Sequence, residues 1–336
     1  MVDGSNLSGT NSEETPMRKI SISLIALAVL LSGPVAAQQW PSRTITMIVA
    51  GAAGSAPDVI ARMLADRLTT MWGKPVIIDN KVGAAGVIGT NAAAKAPPDG
   101  YTLLFGQAAP LTLTKFTQEK MPYDVERDFA PIISVGISPM IVAAAPNLNV
   151  SSLGHFIRLA KEQPGKLSYT TSSSRNVPHL TGELLKSLAG IDILHVPSRT
   201  SQIGIADLIT GRVAAMIDGI PVIRPLMTDG RAKALAISSL NRMPGFENLP
   251  TLSETFPGTE VNGWFAILAP AGVPAEVVQR VNRDVQTILK DSQFVQRVEQ
   301  LGVYPVGGTP AMLSDFIKAD LKRWERAVAA AGLKKE

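Results

Sequence analysis

The chain has 336 residues, 46% hydrophobic, 18% charged and 5% aromatic, with a formal net charge of +4. That length is enough for two domains, and that composition describes a globular protein with a large core, which excludes a disordered chain. Cysteine is absent, which excludes thiol catalysis, disulfides and Cys-based metal sites, and the scattered charges, with no Lys/Arg block, do not read as a nucleic-acid surface.

The polar stretch from Met1 to Pro16 reads as a leader ahead of a start at Met17. Met17-Arg18-Lys19 is a positive n-region, Ile20 to Leu31 is a short apolar segment, and Val35-Ala36-Ala37 supplies small residues for a peptidase. Together they read as a secretory signal, with cleavage expected after Ala37. An exported chain without disulfides must draw its stability from core burial, which suits a bacterial periplasmic protein.

The stretch from Ile45 to Leu68 organises the mature chain. Ile45 to Ala50 predicts a strand buried on both faces, and the loop Gly51 to Ala56 leads into a helix from Pro57. Ile60, Leu64 and Leu68 form the buried stripe of that helix. A small, glycine-containing loop at a helix N-terminus is a site for an anion, or only a tight strand-to-helix turn. Pro75 to Asp79 predicts a second strand, Val82 to Lys95 a glycine loop and helix, and Tyr101 to Phe105 a third strand. Such alternation implies βαβ crossovers and a mainly parallel sheet.

Thr117 to Asp128 is polar and irregular, and the apolar run from Phe129 to Ala145 then has the length of a strand that leaves one domain for another. A second alternating set comes next. Helices are expected over Leu153–Lys161, Val177–Leu188 and Gln202–Thr210, and from Ile223. Strands are expected over Leu167–Thr170, Ile193–Pro197, Val213–Asp218 and Ala232–Ile237. The proline-rich loop Asn241 to Pro257 reads as the way back, into a strand at Trp264–Ala269 beside the outgoing run. Two long helices, Ala275–Lys290 and Pro310–Ala330, close the chain.

In open parallel sheets, ligands bind outside the carboxyl ends of the strands. Those ends offer Gly54, Ser55, Ala56, Asp58 and Gln107 in the first half. In the second half they offer Thr171, Ser172, Arg175, Asn176, His179, Ser198 and Asp218. These are hydroxyls, amides and small groups that can hold a solute and release it. No obvious nucleophile–base pair, G-x-S-x-G motif or Walker lysine occurs among them. Arg175 can grip a carboxylate with two parallel hydrogen bonds or face solvent on its loop. Asn176 is an N-cap for the helix from Val177. Asp58 either caps its helix or meets a ligand, His179 and His195 read as structural, and Asp218 orders its loop or lines the site. Gly83, Gly86 and Gly89 have the spacing G-x-x-G-x-x-G, which is not a dinucleotide fingerprint.

Five segments carry a resemblance. They are GAAGSAPDVIAR (51–62), DNKVGAAGVIGTNAAAKAPPDGYTLL (79–104), PGKLSYTTSSSRNVPHLTGELLK (164–186), HVPSRTSQIGIADLITGRVAAMID (195–218) and WFAILAPAGVPAEVV (264–278). In this order and spacing the chain resembles the Bug-type periplasmic solute-binding receptors of tripartite tricarboxylate transporters. The resemblance implies an α/β, two-lobed Venus-flytrap fold, with two mainly parallel sheets flanked by helices and joined by two crossing strands. It implies a small organic anion held between the lobes, approached by the loop Gly51–Asp58 and closed over by the loop Thr171–Asn176. It implies membrane permease subunits as partners, a periplasmic location, no cofactor, no metal and no catalysis. The family usually has Pro-Phe at Ala50-Gly51, Gly at Ser55, Gly-Ser at Arg175-Asn176 and Tyr-Lys-Gly at Ser198-Arg199-Thr200. These departures imply a roomier cavity, more cationic on the second lobe. The expected arrangement is a monomer with lobe 1 formed by 38–141 and 261–336, and lobe 2 by 142–260. A hydrolase or lyase on the same lobes, or a ligand sensor for a signalling partner, are the competing readings.

Overall fold

The apolar run ITMIV forms β1 (Ile45–Val49), and the loop after it feeds α1 (Ala56–Trp72), which buries Ile60, Leu64 and Leu68. In this computed structural model the described residues are 40–330, 332, 333 and 335, except 173, 175 and 258. The leader and signal segment therefore lies outside the described residues, as do Ser173 and Arg175 of the serine-rich loop. The unit that carries the fold begins at Arg43.

The first half continues with β2 (Val76–Asn80), α2 (Val87–Ala94) and β3 (Thr102–Gln107). β4 (Phe129–Ala144) is the long crossing strand. The second half holds α3 (Leu153–Glu162), β5 (Ser168–Thr171), α4 (Val177–Ala189), β6 (Leu194–Pro197) and α5 (Ser201–Ile209). It continues with β7 (Ala215–Gly219), α6 (Ile220–Thr228) and β8 (Lys233–Ile237). The return strand is β9 (Asn262–Pro270), followed by α7 (Ala275–Ile288), α8 (Ser292–Gln300), β10 (Tyr304–Gly307) and α9 (Pro310–Ala330). Several features differ from expectation. Residues 109–117, for which no element is expected, are helical; Val125–Asp128, inside the stretch read as irregular, forms a helical turn; and both α8 and β10 lie in the interval between the two closing helices.

The strands run in the order β2-β1-β3-β9-β4-β7-β5-β6, with β10 and β8 also paired to β4. Outer pairs are parallel, β1 with β2 and β3, and β5 with β6 and β7. Pairings through β4 and β9 are antiparallel. Thus β4 alone belongs to both sheets, and the two lobes join along it.

The register fixes which ends of the strands meet. Leu104 and Gln107 of β3 pair with Leu268 and Phe265 of β9, which in turn pair with Pro131 and Gly136 of β4. So β3 and β4 advance together. On the other side, Ala215 and Gly219 of β7 pair with Ala144 and Met140, so β7 runs back along β4. The carboxyl ends of the two parallel sets therefore converge, one level with Gly136 and the other with Met140. Four strand residues separate those levels, roughly 13 Å.

Candidate functional site

On the first lobe, Ser55 sits extended at φ −72°, ψ 161° just before α1, and its hydroxyl does not cap the helix. It donates instead to the Ala52 carbonyl at 2.6 Å. The opening amides of a long helix, where the dipole is positive, are left facing the loop. Asp58, 2% exposed, accepts the Gly54 N–H at 2.8 Å, Arg62 Nε at 3.0 Å and Asn80 Nδ2 at 2.9 Å. Asn80 Nδ2 also reaches the Gly51 carbonyl at 3.0 Å, and Asn80 Oδ1 accepts from Arg62 at 2.9 Å. Burial pushes the Asp58 carboxyl up, but the bonds from Arg62, Gly54 and Asn80 together outweigh it and hold the group below its ordinary range. Asp58 is a tether that pins loop 51–55 to the end of β2. Arg62 and Asn80 complete that tether, and neither is among the site residues that the sequence singles out.

Gln107 ends β3 beside this loop. A Cβ on Gly51 would lie 3.4 Å from Gln107 Nε2 and 3.4 Å from Ser55 Oγ. Gln107 Nε2 is buried and has no hydrogen-bond partner. A buried donor left unpaired costs about 1–3 kcal/mol, so its place at the mouth of an open helix N-terminus points to an acceptor from outside the chain. The neighbouring turn is strained, with Ala84 and Ala85 at φ 47° and 52°. Gly89 has a packing role: a Cβ there would fall 2.7 Å from the Lys81 carbonyl and 3.0 Å from Ala50. The glycine spacing thus serves the close approach of α2 to β1.

On the second lobe, Asn176 accepts the His179 N–H at 3.0 Å and caps α4, as the sequence predicts. Thr170 Oγ1 and Ser198 Oγ share a hydrogen bond of 2.7 Å, and Thr171 Oγ1 meets His195 Nε2 at 2.8 Å. The rings of His179 and His195 stack with centroids 4.0 Å apart, and Tyr169 lies 4.9 Å from His195. Tyr169 donates its hydroxyl to Glu183 Oε1 at 2.6 Å, and Lys186 reaches both Glu183 oxygens at 3.0 Å. Burial, reinforced by His179, lowers the His195 pKa to about 4, so its ring is neutral at ordinary pH. Burial pushes the Asp218 carboxyl upward despite bonds from the Gly219 N–H at 2.8 Å and Ser201 Oγ at 3.0 Å.

The threonine at the His195 ring is 0% exposed, so that contact is closed to a substrate. Thr171, Ser172, Asn176, His179 and Ser198 gather at the ends of β5 and β6, and Asp218, bonded to Ser201, lies at the end of the neighbouring β7. Gly54, Ser55, Ala56, Asp58 and Gln107 gather on the opposing ends. Among the described residues, no three His, Asp or Glu side chains form a metal-ligating group, and no helix is long and apolar enough to cross a membrane.

Two α/β lobes sharing one long strand, with polar strand ends facing each other, define a binding protein of the periplasmic type. The chain belongs to the tripartite tricarboxylate transporter receptor family (TctC), whose model matches residues 60–333. It is 35% identical to Protein BugT of Bordetella pertussis over 306 residues, 90% of this chain and 94% of that one. Among solved structures, it is similar to R. palustris Rpa4515 with adipate at 33% identity and TM-score 0.76, covering 88% of this chain and all of that one. It is also similar to MatC from Rhodopseudomonas palustris with bound malate, at 27% identity and TM-score 0.70, covering 86% of this chain and all of that one. The protein is thus a periplasmic solute receptor and not an enzyme.

Proposed function

We propose that this receptor captures a small carboxylate-bearing anion between its lobes and closes on it by hinge motion. It then hands the solute to a membrane permease. The reading is carried by the facing strand ends, and within them by the unpaired Gln107 Nε2 beside the open N-terminus of α1. One carboxylate oxygen would accept from Gln107 and from the loop amides. Ser172, Asn176 and Arg175 would meet the ligand from the second lobe, with Ser198 and Asp218 supporting that wall. The lobes divide as 38–141 with 261–336, and 142–260, so that the seam falls on β4 and β9. The signal would direct export and be removed by cleavage after Ala37. Relatives solved with adipate and with malate make dicarboxylates the first class to try.

The experiment is calorimetric titration of protein unfolded, dialysed free of ligand and refolded, against mono-, di- and tricarboxylates including adipate and malate. Saturable heat with at least one acid is expected. Silence across the whole panel, from protein whose refolding is verified by circular dichroism, rejects carboxylate capture.

A further inference from the structure

A second cavity lies away from the strand ends, between α4 of one lobe and α9 of the other. Its volume is about 320 Å³, within the range of small-molecule sites. Leu184 and Leu188 of α4, Val261 before β9, and Trp324 and Ala327 of α9 give it an apolar wall. Leu188 is 43% exposed at the cavity rim.

The two acids and two arginines at this cavity balance in number but not in pairing. Arg323 is held by Asp320 at 3.0 Å and faces Glu260 at 3.6 Å. Asp320 is further occupied by Thr112 at 2.6 Å, Trp264 Nε1 at 2.8 Å and Trp324 Nε1 at 2.9 Å. Glu260 also accepts from Asn262 at 3.0 Å. Arg326 lines the same cavity, and among the described residues its Nε alone is engaged, with the Lys322 carbonyl at 3.2 Å. Among the described residues, no carboxylate is within ion-pair distance of it. An apolar wall with one guanidinium outside the ion-pair cluster at its rim suits an acid with one carboxylate and an apolar tail.

We propose that the α4–α9 cavity is a second binding site, for an amphipathic monocarboxylate whose tail lies against Trp324, Leu184 and Leu188 and whose carboxylate pairs with Arg326. The walls belong to different lobes, so occupation biases the angle between them.

The probe is octanoate, titrated into the ligand-free protein by calorimetry, with tryptophan fluorescence as a second readout. Saturable binding is expected in the wild type. It should be weakened roughly tenfold in Arg326→Gln and abolished in Leu188→Glu, which sets a like charge at an exposed position and leaves the core intact. Gln107→Met, altered at the other site, should bind octanoate as the wild type does. Loss in Gln107→Met with retention in Leu188→Glu would mean that octanoate enters the cleft between the strand ends, and overturns the proposal. So does the absence of saturable binding while the dicarboxylate panel still binds.

Discussion

Gln107→Met separates stability from binding at the strand ends. The substitution keeps the length of the side chain and removes its amide. In the unliganded protein Gln107 Nε2 is buried without a partner, an arrangement that costs about 1–3 kcal/mol of folding free energy. Replacing it with a thioether should therefore raise stability by about 1 kcal/mol, or at worst leave it unchanged, because packing volume is retained. The same change deletes a donor to the ligand carboxylate, a charge-assisted bond of about 1.5–3 kcal/mol, so the dissociation constant should rise roughly 10- to 150-fold. Urea denaturation of the ligand-free protein gives the first quantity and calorimetry the second. A variant destabilised by more than about 1 kcal/mol that binds its acid unchanged would refute the assignment. Gln107 would then be a structural group whose partner is inside the fold.

Asp58→Asn should cost about 2 kcal/mol in urea denaturation, because its carboxylate accepts from Gly54, Arg62 and Asn80; a loss below about 0.5 kcal/mol would show that the tether is idle. Gly302→Ala should lower the thermal midpoint, since Gly302 holds φ +71° and a Cβ there would lie 2.6 Å from Pro221 Cδ of α6; an unchanged midpoint would show that α8 and α6 are free to part at that contact. The pH dependence has a definite sign. His195 has a folded pKa of about 4 against an ordinary 6.5, so the unfolded chain binds more protons between those values and stability falls as pH drops through that window. Allowing for the ring's partial exposure, the loss is on the order of 1–2 kcal/mol. His195→Gln should flatten that slope in urea midpoints taken at several pH values, and an equal slope in both proteins would place the titration elsewhere.

Much of the fold was legible where short-range pattern and tertiary role agree. The run from Phe129 to Ala145 could be read as a crossing strand because sixteen residues of it form β4. The glycine at 190 stops α4 in the left-handed conformation that glycine favours. In contrast, Tyr304–Gly307 contains Pro305 and ends in glycine, so it reads as a loop; pairing with Ile137, Gly136 and Ser134 of β4 makes it a strand. Ser292–Gln300 carried a readable signal, Asp291 as N-cap with Phe294 and Val298 buried one turn apart, but its polar composition masked it. At the site, Arg62 lies four residues after Asp58 on one helix face, a spacing that could have exposed half of the tether. Asn80 joins it only through the parallel pairing of β1 and β2, which no local pattern encodes. Likewise the stack of His179 on His195 unites a helix and a strand that meet only after folding.

β4 changes partners between Pro139, the last residue paired with β9, and Met140, the first paired with β7. Pro139 pairs with Asn262 but has no N–H to give, and Ser138 faces Gly263. One residue on, the Met140 N–H donates not to a strand carbonyl but to Ser238 Oγ at 2.8 Å, and that hydroxyl passes its own proton to Asn262 Oδ1 at 3.0 Å. Side chains thus take the place of a ladder bond at the single step where β4 passes from β9 to β7. A strand whose ladder is continuous resists bending, whereas one that hands over to hydroxyl and amide groups can change its angle with few backbone bonds broken. The stretch from Gly136 to Met140 sets the gap between the facing strand ends, so a small rotation there is amplified at the loops. Ser238→Ala would remove the relay while leaving both sheets' own ladders intact. It should raise hydrogen–deuterium exchange at Met140 and weaken ligand binding without altering the second cavity. Unchanged exchange at Met140 would mean that the lobes turn about another point.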